Sequence, residues 1–412
     1  MDTAGRVTAD ELHWDPYDYD LHRDPHPVWR RMMNDAPLYR NEQFDFWAMT
    51  RFDDVLNGLV DWRTFSSAQG DQLEIIRGGP IPESQNSIIS NDAPYHTSLR
   101  RLLSRAFTPR SVSDLESVTR RFAQELLEEH SGSTSFDYVE DFGNRLPGMV
   151  IATMLGIPDG DREYIRRTTD EQLHREPGER DMQRHHRVAA ELVSYYSEQL
   201  ADRRTKPRDD MMSALLAAEI TEDDGSSRKL TDAEAVAFIK LLSSAGNETT
   251  AKLIGWIGSS LAKFPGERVK LVKHPELIPN AVEEILRYEP PALCLARVVR
   301  RDVVLHGEVV PEGGVMVFIQ AATGRDLRQF PDPDRLHVER KIERHLSFGF
   351  GPHVCLGAPL ARLEARIALE ETLLRFSEWD VDWEGSEVVH TGSAVRGYSK
   401  LPIRVVKRGP GS

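Results

Sequence analysis

Apolar residues recur along most of this chain every three or four positions, which is the spacing of one face of an α-helix. Strict alternation of apolar and polar residues, which is typical of strands, is confined to a few short stretches. No internal repeat and no long low-complexity tract is found, so the pattern does not favour a solenoid or a propeller. The chain is therefore expected to be mainly α with small β-sheets, in a single domain over residues 1–412. The predicted helices span residues 99–106, 115–130, 183–202, 232–263, 279–288 and 359–376, and the predicted strands span residues 46–49, 303–305, 315–319 and 402–406.

The longest helical pattern covers residues 231–264 and opens with a capping-box sequence, Thr231 followed three residues later by Glu234. It is apolar on most of its faces, so we expect a central, buried helix. Its middle, residues 245–250, instead carries glycine, asparagine, a carboxylate and two threonines, which are poor helix formers. One interpretation is structural, with a threonine hydroxyl bonded to the preceding turn and the glutamate paired with a base. The other is that these polar groups do chemistry in the protein interior.

Composition excludes several classes of function. The chain has 52 basic and 66 acidic side chains and a formal net charge of −14, so nucleic acid is not expected as a partner. Its two cysteines, Cys294 and Cys355, are too few for a disulfide framework, a cysteine-rich zinc site or a four-cysteine iron–sulfur cluster. Residues 1–30 are rich in aspartate and contain no apolar run, so we expect a cytoplasmic protein without a membrane anchor.

One of the two cysteines lies in a distinctive loop. Cys355 is surrounded by glycines in residues 348–357 and directly precedes a predicted helix. A helix N-terminus stabilises a thiolate through its free N–H groups and its dipole, and Leu356 and Gly357 are the expected donors. The alternative interpretation is an inert, buried thiol, which is the usual state of a cysteine in a protein core.

The spacing Phe-x-x-Gly-x-His-x-Cys-x-Gly, read at Phe348, Gly351, His353, Cys355 and Gly357, resembles the haem-binding signature of the cytochrome P450 family, in particular its soluble bacterial class I members. The resemblance implies a cytochrome P450 fold with haem b as cofactor and Cys355 as the axial ligand of its iron. Phe348, His353 and Gly357 would then belong to the haem-binding loop.

The middle of the long helix is similar to a second motif of the same family, Ala/Gly-Gly-x-Asp/Glu-Thr. The resemblance implies that Gly246 leaves room for oxygen, that Glu248 is the acid of a proton relay and that Thr249 is its hydroxyl. Thr250, which is adjacent, is taken as structural. Asn247 stands where the family often has histidine.

Two further sets of residues match the family. Haem propionates need buried basic donors, and we expect these to be His96 and Arg100 in a His-Thr-x-x-Arg motif, Arg297, and His345 or His353. Glu284 and Arg287 match the Glu-x-x-Arg motif and are expected to form a buried structural ion pair.

Residues 69–92 form a long irregular segment rich in glycine and proline, which predicts either a substrate lid or a mobile surface loop. The expected pocket is mostly apolar and favours a hydrophobic small molecule, without indicating which one or which type of oxidation. The predicted pocket residues are Leu242, Ala245, Leu293, Leu295 and Val395.

The resemblance implies a monooxygenase that inserts one atom of O2 into its substrate. The chain shows no dinucleotide-binding glycine motif and no cluster ligands, so electrons are expected from NAD(P)H through a reductase and a ferredoxin-type donor. A peroxygenase that uses hydrogen peroxide and a catalytically silent haem protein are the alternatives. A basic docking patch is predicted from Arg100, Arg101, Arg105, Arg110, Arg340, Arg344, Arg362 and Arg366.

Overall fold

Helices make up most of the structure, as the spacing of the apolar residues predicts. The computed structural model describes residues 12–79, 81, 87–173, 183–221, 225–391 and 393–407. Within these ranges the α-helices are α1 (Tyr19–Arg23), α2 (His26–Asp35), α3 (Phe52–Val60), α4 (Leu73–Arg77), α5 (Tyr95–Leu103), α6 (Pro109–Ser113), α7 (Glu116–Glu128), α8 (Leu146–Leu155), α9 (Arg162–Leu173), α10 (Gln183–Thr205), α11 (Met211–Ala217), α12 (Asp232–Lys263), α13 (Pro265–Lys273), α14 (Ile278–Tyr288), α15 (Gln320–Thr323) and α16 (Ala358–Arg375).

The strands are short and form small sheets. The largest sheet has the order β1-β2-β10-β7-β3, with β10 parallel to β2 and antiparallel to β7. The hairpin β12–β13 packs against α12. The strands are β1 (Tyr39–Asn41), β2 (Phe46–Met49), β3 (Phe65–Ser66), β4 (Ser135–Asp137), β5 (Glu219–Thr221), β6 (Ser227–Lys229), β7 (Leu295–Val299), β8 (Val303–Leu305), β9 (Glu308–Val310), β10 (Val315–Phe318), β11 (Phe376–Val381), β12 (Glu387–Thr391), β13 (Val395–Lys400) and β14 (Pro402–Lys407).

Helix α12 passes through the centre of the molecule. Its N-terminus is closed by the predicted capping box, in which Thr231 Oγ1 accepts from the Glu234 amide at 3.1 Å and a Glu234 carboxylate oxygen accepts from the Thr231 amide at 2.7 Å. From Thr250 to Leu261 every residue of the helix is buried. Helices α8, α10, α14 and α16 and the β12–β13 hairpin surround it. The loop that carries Cys355 runs into the N-terminus of α16, so the two predicted motifs meet where α12 and α16 approach each other.

The predicted fold class is confirmed: the protein is mainly α with small sheets. The strands predicted at 46–49 and 303–305 have those bounds, and the long helix spans Asp232–Lys263. Helix α5 starts at Tyr95, four residues earlier than predicted, because its first turn is polar and shows no apolar spacing. No helix of the described residues is long and apolar enough to cross a membrane.

The segment 69–92 is more ordered than its composition predicts. It contains α4 and a 3-10 turn at Ile88–Ser90, so the expectation of an entirely irregular segment was wrong. The glutamate of α4, Glu74, accepts a hydrogen bond from the Ser393 amide at 2.8 Å, which ties this segment to the end of the chain. Residues 80 and 82–86 of the predicted lid lie outside the described residues.

Candidate active site

A cavity of about 280 Å³ lies between the middle of α12 and the cysteine loop. Such a volume is near the lower end of sites that hold small molecules. Its wall is apolar on the side of α12 and polar on the side of α5. The lining residues include Ile88, Ile89, His96, Arg100, Phe107, Phe238, Leu241, Leu242, Ala245, Gly246, Thr249, Thr250, Leu253, Pro291, Ala292, Leu295, Gln320, Phe348, Gly349, His353, Cys355, Gly357 and Ala361.

The Cys355 side chain faces this cavity. Its backbone amide donates to the Phe348 carbonyl at 2.8 Å, which closes the loop immediately before α16. Burial raises the pKa of the thiol, whereas hydrogen bonds from the amides of Gly357 and Ala358 lower it. The donors predicted from the sequence were Leu356 and Gly357, so the second amide belongs to the first residue of α16 instead. A sulfur that receives two backbone N–H groups at a helix N-terminus is suited to carry negative charge.

Gly351 holds the cysteine loop against α3. Its φ is +72°, in the left-handed region that favours glycine. A Cβ atom at this position would lie 2.8 Å from the carbonyl oxygen of Leu59. The glycine of the motif is therefore required both by its backbone conformation and by the close approach of a neighbouring helix.

Basic side chains converge on the α5 end of the cavity. The rings of His96 and His353 are in contact, tilted by 39° with their centroids 4.1 Å apart, and His96 Nε2 is buried without a hydrogen-bond partner among the described residues. Burial, followed by the charge of Arg100, lowers the pKa of His96 to about 4. Burial, followed by the charge of Arg297, lowers the pKa of His353 to about 3. Two imidazoles and two guanidiniums without full pairing are the donors that buried carboxylates require, so the site fits the propionates of haem.

His345 does not belong to this group, and the prediction that it anchors a propionate was wrong. Its Nε2 lies 3.0 Å from the Glu283 carboxylate, and its Nδ1 accepts from the Ser347 amide at 3.2 Å. Both ring nitrogens are therefore engaged in holding the cysteine loop to α14.

The polar middle of α12 is divided between two sides of the helix. Thr249 and Thr250 line the cavity, and Thr249 Oγ1 donates to the Ala245 carbonyl at 2.7 Å. This is the back-bond of the structural interpretation, and it leaves the oxygen lone pairs of Thr249 able to accept a hydrogen bond. Glu248 does not line the cavity and lies near the ammonium group of Lys252. The two members of the predicted relay are thus not placed side by side in the wall.

Gly246 borders the cavity, but its missing side chain serves helix packing. A Cβ atom there would lie 3.0 Å from Ile151 Cδ1 of α8. The glycine therefore lets α8 approach α12 closely, a reason that the sequence interpretation, room for oxygen, did not include.

Three of the predicted pocket residues, Leu242, Ala245 and Leu295, line the cavity. Leu293 does not, because it is fully buried in the apolar cluster around Trp14 and Trp29, so its assignment to the pocket was wrong. Val395 was also misplaced: it forms a β-bridge behind Ala292, which takes the position in the wall.

Several lining residues were not predicted. Phe238 and Leu241 precede Leu242 and Ala245 at helical spacing, so the periodicity of α12 contained the information needed to find them. Phe107 and Gln320 have no comparable signal, and they reach the cavity from the end of the segment after α5 and from the start of α15. Ile88 and Ile89 belong to the segment 69–92 that the sequence predicts as a lid.

The predicted ion pair between Glu284 and Arg287 is formed and completely buried. Two hydrogen bonds of 2.7 Å join the side chains, and the Arg340 guanidinium donates to the same carboxylate at 3.1 Å. Arg287 also donates to the carbonyls of Gly324 and Pro333 at 2.6 and 2.9 Å. The pair joins α14 to the chain that leads into the cysteine loop.

The predicted basic patch is smaller than its arginine content suggests. Arg362 makes two hydrogen bonds to Glu283, and Arg366 pairs with Glu116 and Glu370. Arg340 is bound to Glu284, and Arg100 lines the cavity, so neither extends the patch. Among the described residues no carboxylate lies within ion-pair distance of the remaining members, which are Arg101, Arg105, Arg110 and Arg344.

Comparisons with known proteins find similar sequences and structures over nearly the whole chain. A family model described as Cytochrome P450 matches residues 266–388. The putative cytochrome P450 123 of Mycobacterium tuberculosis is 41% identical over 405 residues, which cover 98% of this chain and 99% of the relative. The structure of cytochrome P450 CYP109Q5 from Chondromyces apiculatus is similar with a TM-score of 0.86 and 34% identity, covering 96% of this chain and 99% of that one.

A second similar structure is that of CYP109E1 from Bacillus megaterium in complex with testosterone, with a TM-score of 0.85, 33% identity and coverage of 94% and 99%. The similarity extends over nearly the whole chain and includes both the fold and the cysteine loop. With its buried basic donors and its cavity-facing cysteine, this chain therefore belongs to the cytochrome P450 family of haem-dependent monooxygenases.

Proposed function

We propose that this enzyme inserts one atom of O2 into a hydrophobic small molecule, with electrons delivered from NAD(P)H through ferredoxin reductase and ferredoxin. The observation that carries the proposal is the cavity itself. It places a cysteine with two amide donors on one side and a hydroxyl on an apolar helix on the other.

Haem, when bound, supplies the iron at which molecular oxygen is reduced. In our proposal Cys355 binds this iron as a thiolate, and the amides of Gly357 and Ala358 stabilise its negative charge. His96, Arg100, Arg297 and His353 hold the propionates.

The groups that we assign to proton transfer lie on α12. We assign Thr249 as the hydroxyl that accepts a hydrogen bond inside the cavity and, once its own hydrogen leaves the Ala245 carbonyl, releases that hydrogen as it takes up another. Glu248 is the acid that resupplies that proton from the other side of α12. The apolar wall keeps bulk water away from Thr249.

The substrate class follows from the lining of the cavity. Phe238, Leu241, Leu242, Ala245 and Leu295 present no hydrogen-bonding side chain to a ligand. Such a surface binds by burial of apolar area and selects by shape. CYP109E1, whose structure holds testosterone, supports a ligand of this kind.

The ferredoxin is proposed to dock near Arg101, Arg105 and Arg110, which lie on or next to α5 and α6 and have no ion-pair partner among the described residues. A cluster of exposed positive charge attracts an acidic protein and raises its rate of association. Double replacement by glutamine of Arg105 and Arg110 should slow reduction by ferredoxin, and the effect should fade at high salt because salt screens such charges. The same replacement of the paired Arg362 and Arg366 is the control.

The proposal is tested by spectroscopy and turnover. Reduced protein with carbon monoxide should give the thiolate signature, and Cys355→Ala should abolish it. Product should form with ferredoxin, reductase and NAD(P)H, whereas product formed only with hydrogen peroxide would identify a peroxygenase. Thr249→Ala should keep the signature and lower the product formed per NAD(P)H, with Thr250→Ala as the adjacent control. Equal yields in both variants would contradict the role of Thr249.

A further inference from the structure

A buried lysine follows the polar middle of α12 and has no place in the mechanism above. Lys252 is one turn beyond Glu248 and is not part of the cavity wall. Its Nζ donates to the Tyr398 carbonyl on β13 at 3.0 Å. An ammonium group has three donors, and among the described residues this carbonyl is the acceptor found within hydrogen-bonding distance. The charge is therefore placed inside the protein with little compensation from dipoles.

The neighbouring strand makes room for this side chain. A Cβ atom at Gly397 would lie 2.5 Å from Lys252 Cβ and 2.7 Å from its Cδ. Any residue other than glycine at 397 would have to displace the lysine stem or the hairpin. The position of the ammonium is thus set by packing on two elements, which is unusual for a long and flexible side chain.

Acidic groups face the ammonium from three elements. Glu248 lies on α12 itself, Asp170 on α9 and Glu387 on β12, and each attracts the charge. Burial opposes this attraction and lowers the pKa of Lys252, and burial also raises the pKa of Asp170. The strand β13 carries the phenol of Tyr398, whose pKa burial raises, and the cationic side chains of Arg396 and Lys400. Ionisation in this group is therefore shared, because a change of charge at one member alters the others.

A purely structural role does not account for this arrangement. The indole N–H of Trp256, one turn further along α12, already donates to the Arg396 carbonyl at 3.2 Å and joins the helix to β13. A neutral side chain at 252 would also pack against Gly397, and it would avoid the unfavourable free energy of burying an ammonium group.

We propose that Lys252 is a positioning residue for proton supply: its ammonium stabilises the Glu248 carboxylate left behind when Glu248 has given up its proton toward the cavity. The inference rests on the proposed role of Glu248. In this scheme the proton leaves Glu248 for the cavity, and the negative charge that remains is balanced by Lys252. Asp170, which accepts from Asn247 Nδ2 at 3.4 Å and from Arg166 at 2.8 Å, links the group to the exposed end of α9.

The principal test is Lys252→Met, which removes the charge and keeps most of the stem. Without the cation Glu248 should become a weaker acid, because an opposite charge nearby lowers a carboxyl pKa by about one unit or more. Product formed per NAD(P)H should fall about tenfold at fixed pH, and the pH at which it declines should rise by roughly one unit. Lys252→Arg, which retains the charge, should restore part of the yield.

Lys240→Met is the matched control. Lys240 lies on the same helix and burial lowers its pKa, but within the part of the chain that the structure describes no acidic group pairs with it. Gly397→Ala gives an independent variant that keeps the lysine and displaces its stem, and it should reduce the yield in the same direction as Lys252→Met.

A second measurement does not depend on turnover. Lysine labelled with 13C and 15N should show the titration of Lys252 in the carbon monoxide complex of the holoenzyme, with the signal assigned by Lys252→Arg. Glu248→Gln should lower the pKa of Lys252 further, because it removes an attracting charge. Identical titration in the two proteins would overturn the coupling even if Lys252→Met does not fold.

The outcomes separate this inference from the proposed function. If Glu248→Gln and Thr249→Ala leave the yield unchanged, the proposed relay is wrong. If they lower it and Lys252→Met behaves like Lys240→Met, the relay stands and the role of Lys252 is overturned.

Discussion

The two helices on either side of the cysteine loop bury carboxylates in opposite ways. Glu284 on α14 is 0% exposed and is surrounded by donors from Arg287, Arg340 and the His337 amide. Glu364 on α16 is 1% exposed, and its Oε2 has no hydrogen-bond partner among the described residues. The two carboxyl groups are therefore almost equally buried, but only that of Glu284 is surrounded by hydrogen-bond donors.

Because Glu364 lacks such donors among the described residues, its burial favours the protonated carboxyl. Burial alone raises the pKa of Glu364 to about 8, so this carboxyl is neutral through most of the physiological range. Glu284 lies within a cluster of guanidinium groups that compensates the loss of water. The comparison is therefore between a buried carboxyl whose lone pairs are used by donors and one whose burial favours the protonated form.

The largest expected effect comes from breaking the ion pair between Glu284 and Arg287. Arg287→Leu leaves the Glu284 carboxylate buried with its main partner removed and should lower the free energy of unfolding by about 3–5 kcal/mol. Urea unfolding followed by circular dichroism measures this loss. Replacing both Glu284 and Arg287 by leucine should recover much of the stability, since no uncompensated charge then remains. A loss below about 1 kcal/mol in the single variant would show that the pair is not the source of stability.

The unpaired carboxyl of Glu364 should make the stability of the protein depend on pH. The folded protein keeps the proton of Glu364 up to about pH 8, whereas the unfolded carboxyl releases it near 4.5. The unfolded state therefore binds fewer protons between these values, and the stability of the wild type should fall as pH rises. Between pH 5 and 8 this amounts to on the order of 3 kcal/mol.

Glu364→Gln should remove that slope, which denaturation at both pH values measures. Glu371, on the same helix, is the control because Arg120 and Arg375 hold it at 2.8 and 2.7 Å. These partners lower its pKa, so Glu371→Gln should leave the decline toward pH 8 in place. If the stability of Glu364→Gln falls with pH as steeply as that of the wild type, Glu364 is not the source of the pH dependence and the proposed difference between α14 and α16 is wrong.

The smallest effect is expected at the edge of the paired cluster. Arg340→Met removes a second donor from Glu284 and should lower the free energy of unfolding by about 1–2 kcal/mol. Arg344, which is exposed and stacks on Phe350, provides the matched control, and Arg344→Met should change stability little. If the two variants are equally stable, Arg340 does not contribute to stability and Arg287 is the guanidinium that stabilises Glu284.

Much of the architecture could be predicted from the chain because periodicity is a local property. The capping box at Thr231 and Glu234 and the strands at 46–49 and 303–305 depend on residues close in sequence. Helix α5 was placed four residues late because its first turn is polar, and α4 was missed because five residues do not establish a period.

The site was predicted in part. Motif spacing identified Cys355, Thr249 and the pair Glu284 and Arg287, whose geometry is set within one turn or one loop. It did not identify Gln320 or Phe107, which reach the cavity from distant segments, and it misassigned His345, whose partner Glu283 lies on α14.

The sequence by itself determined the helical class, the central helix with its polar interruption, and the cysteine loop, because each is encoded by neighbouring residues. The tertiary structure alone decided which polar groups are compensated. It paired Arg362 with Glu283, left Glu364 without a partner for Oε2 and placed Lys252 against Gly397. Burial and pairing depend on residues far apart in the chain, so no local pattern records them.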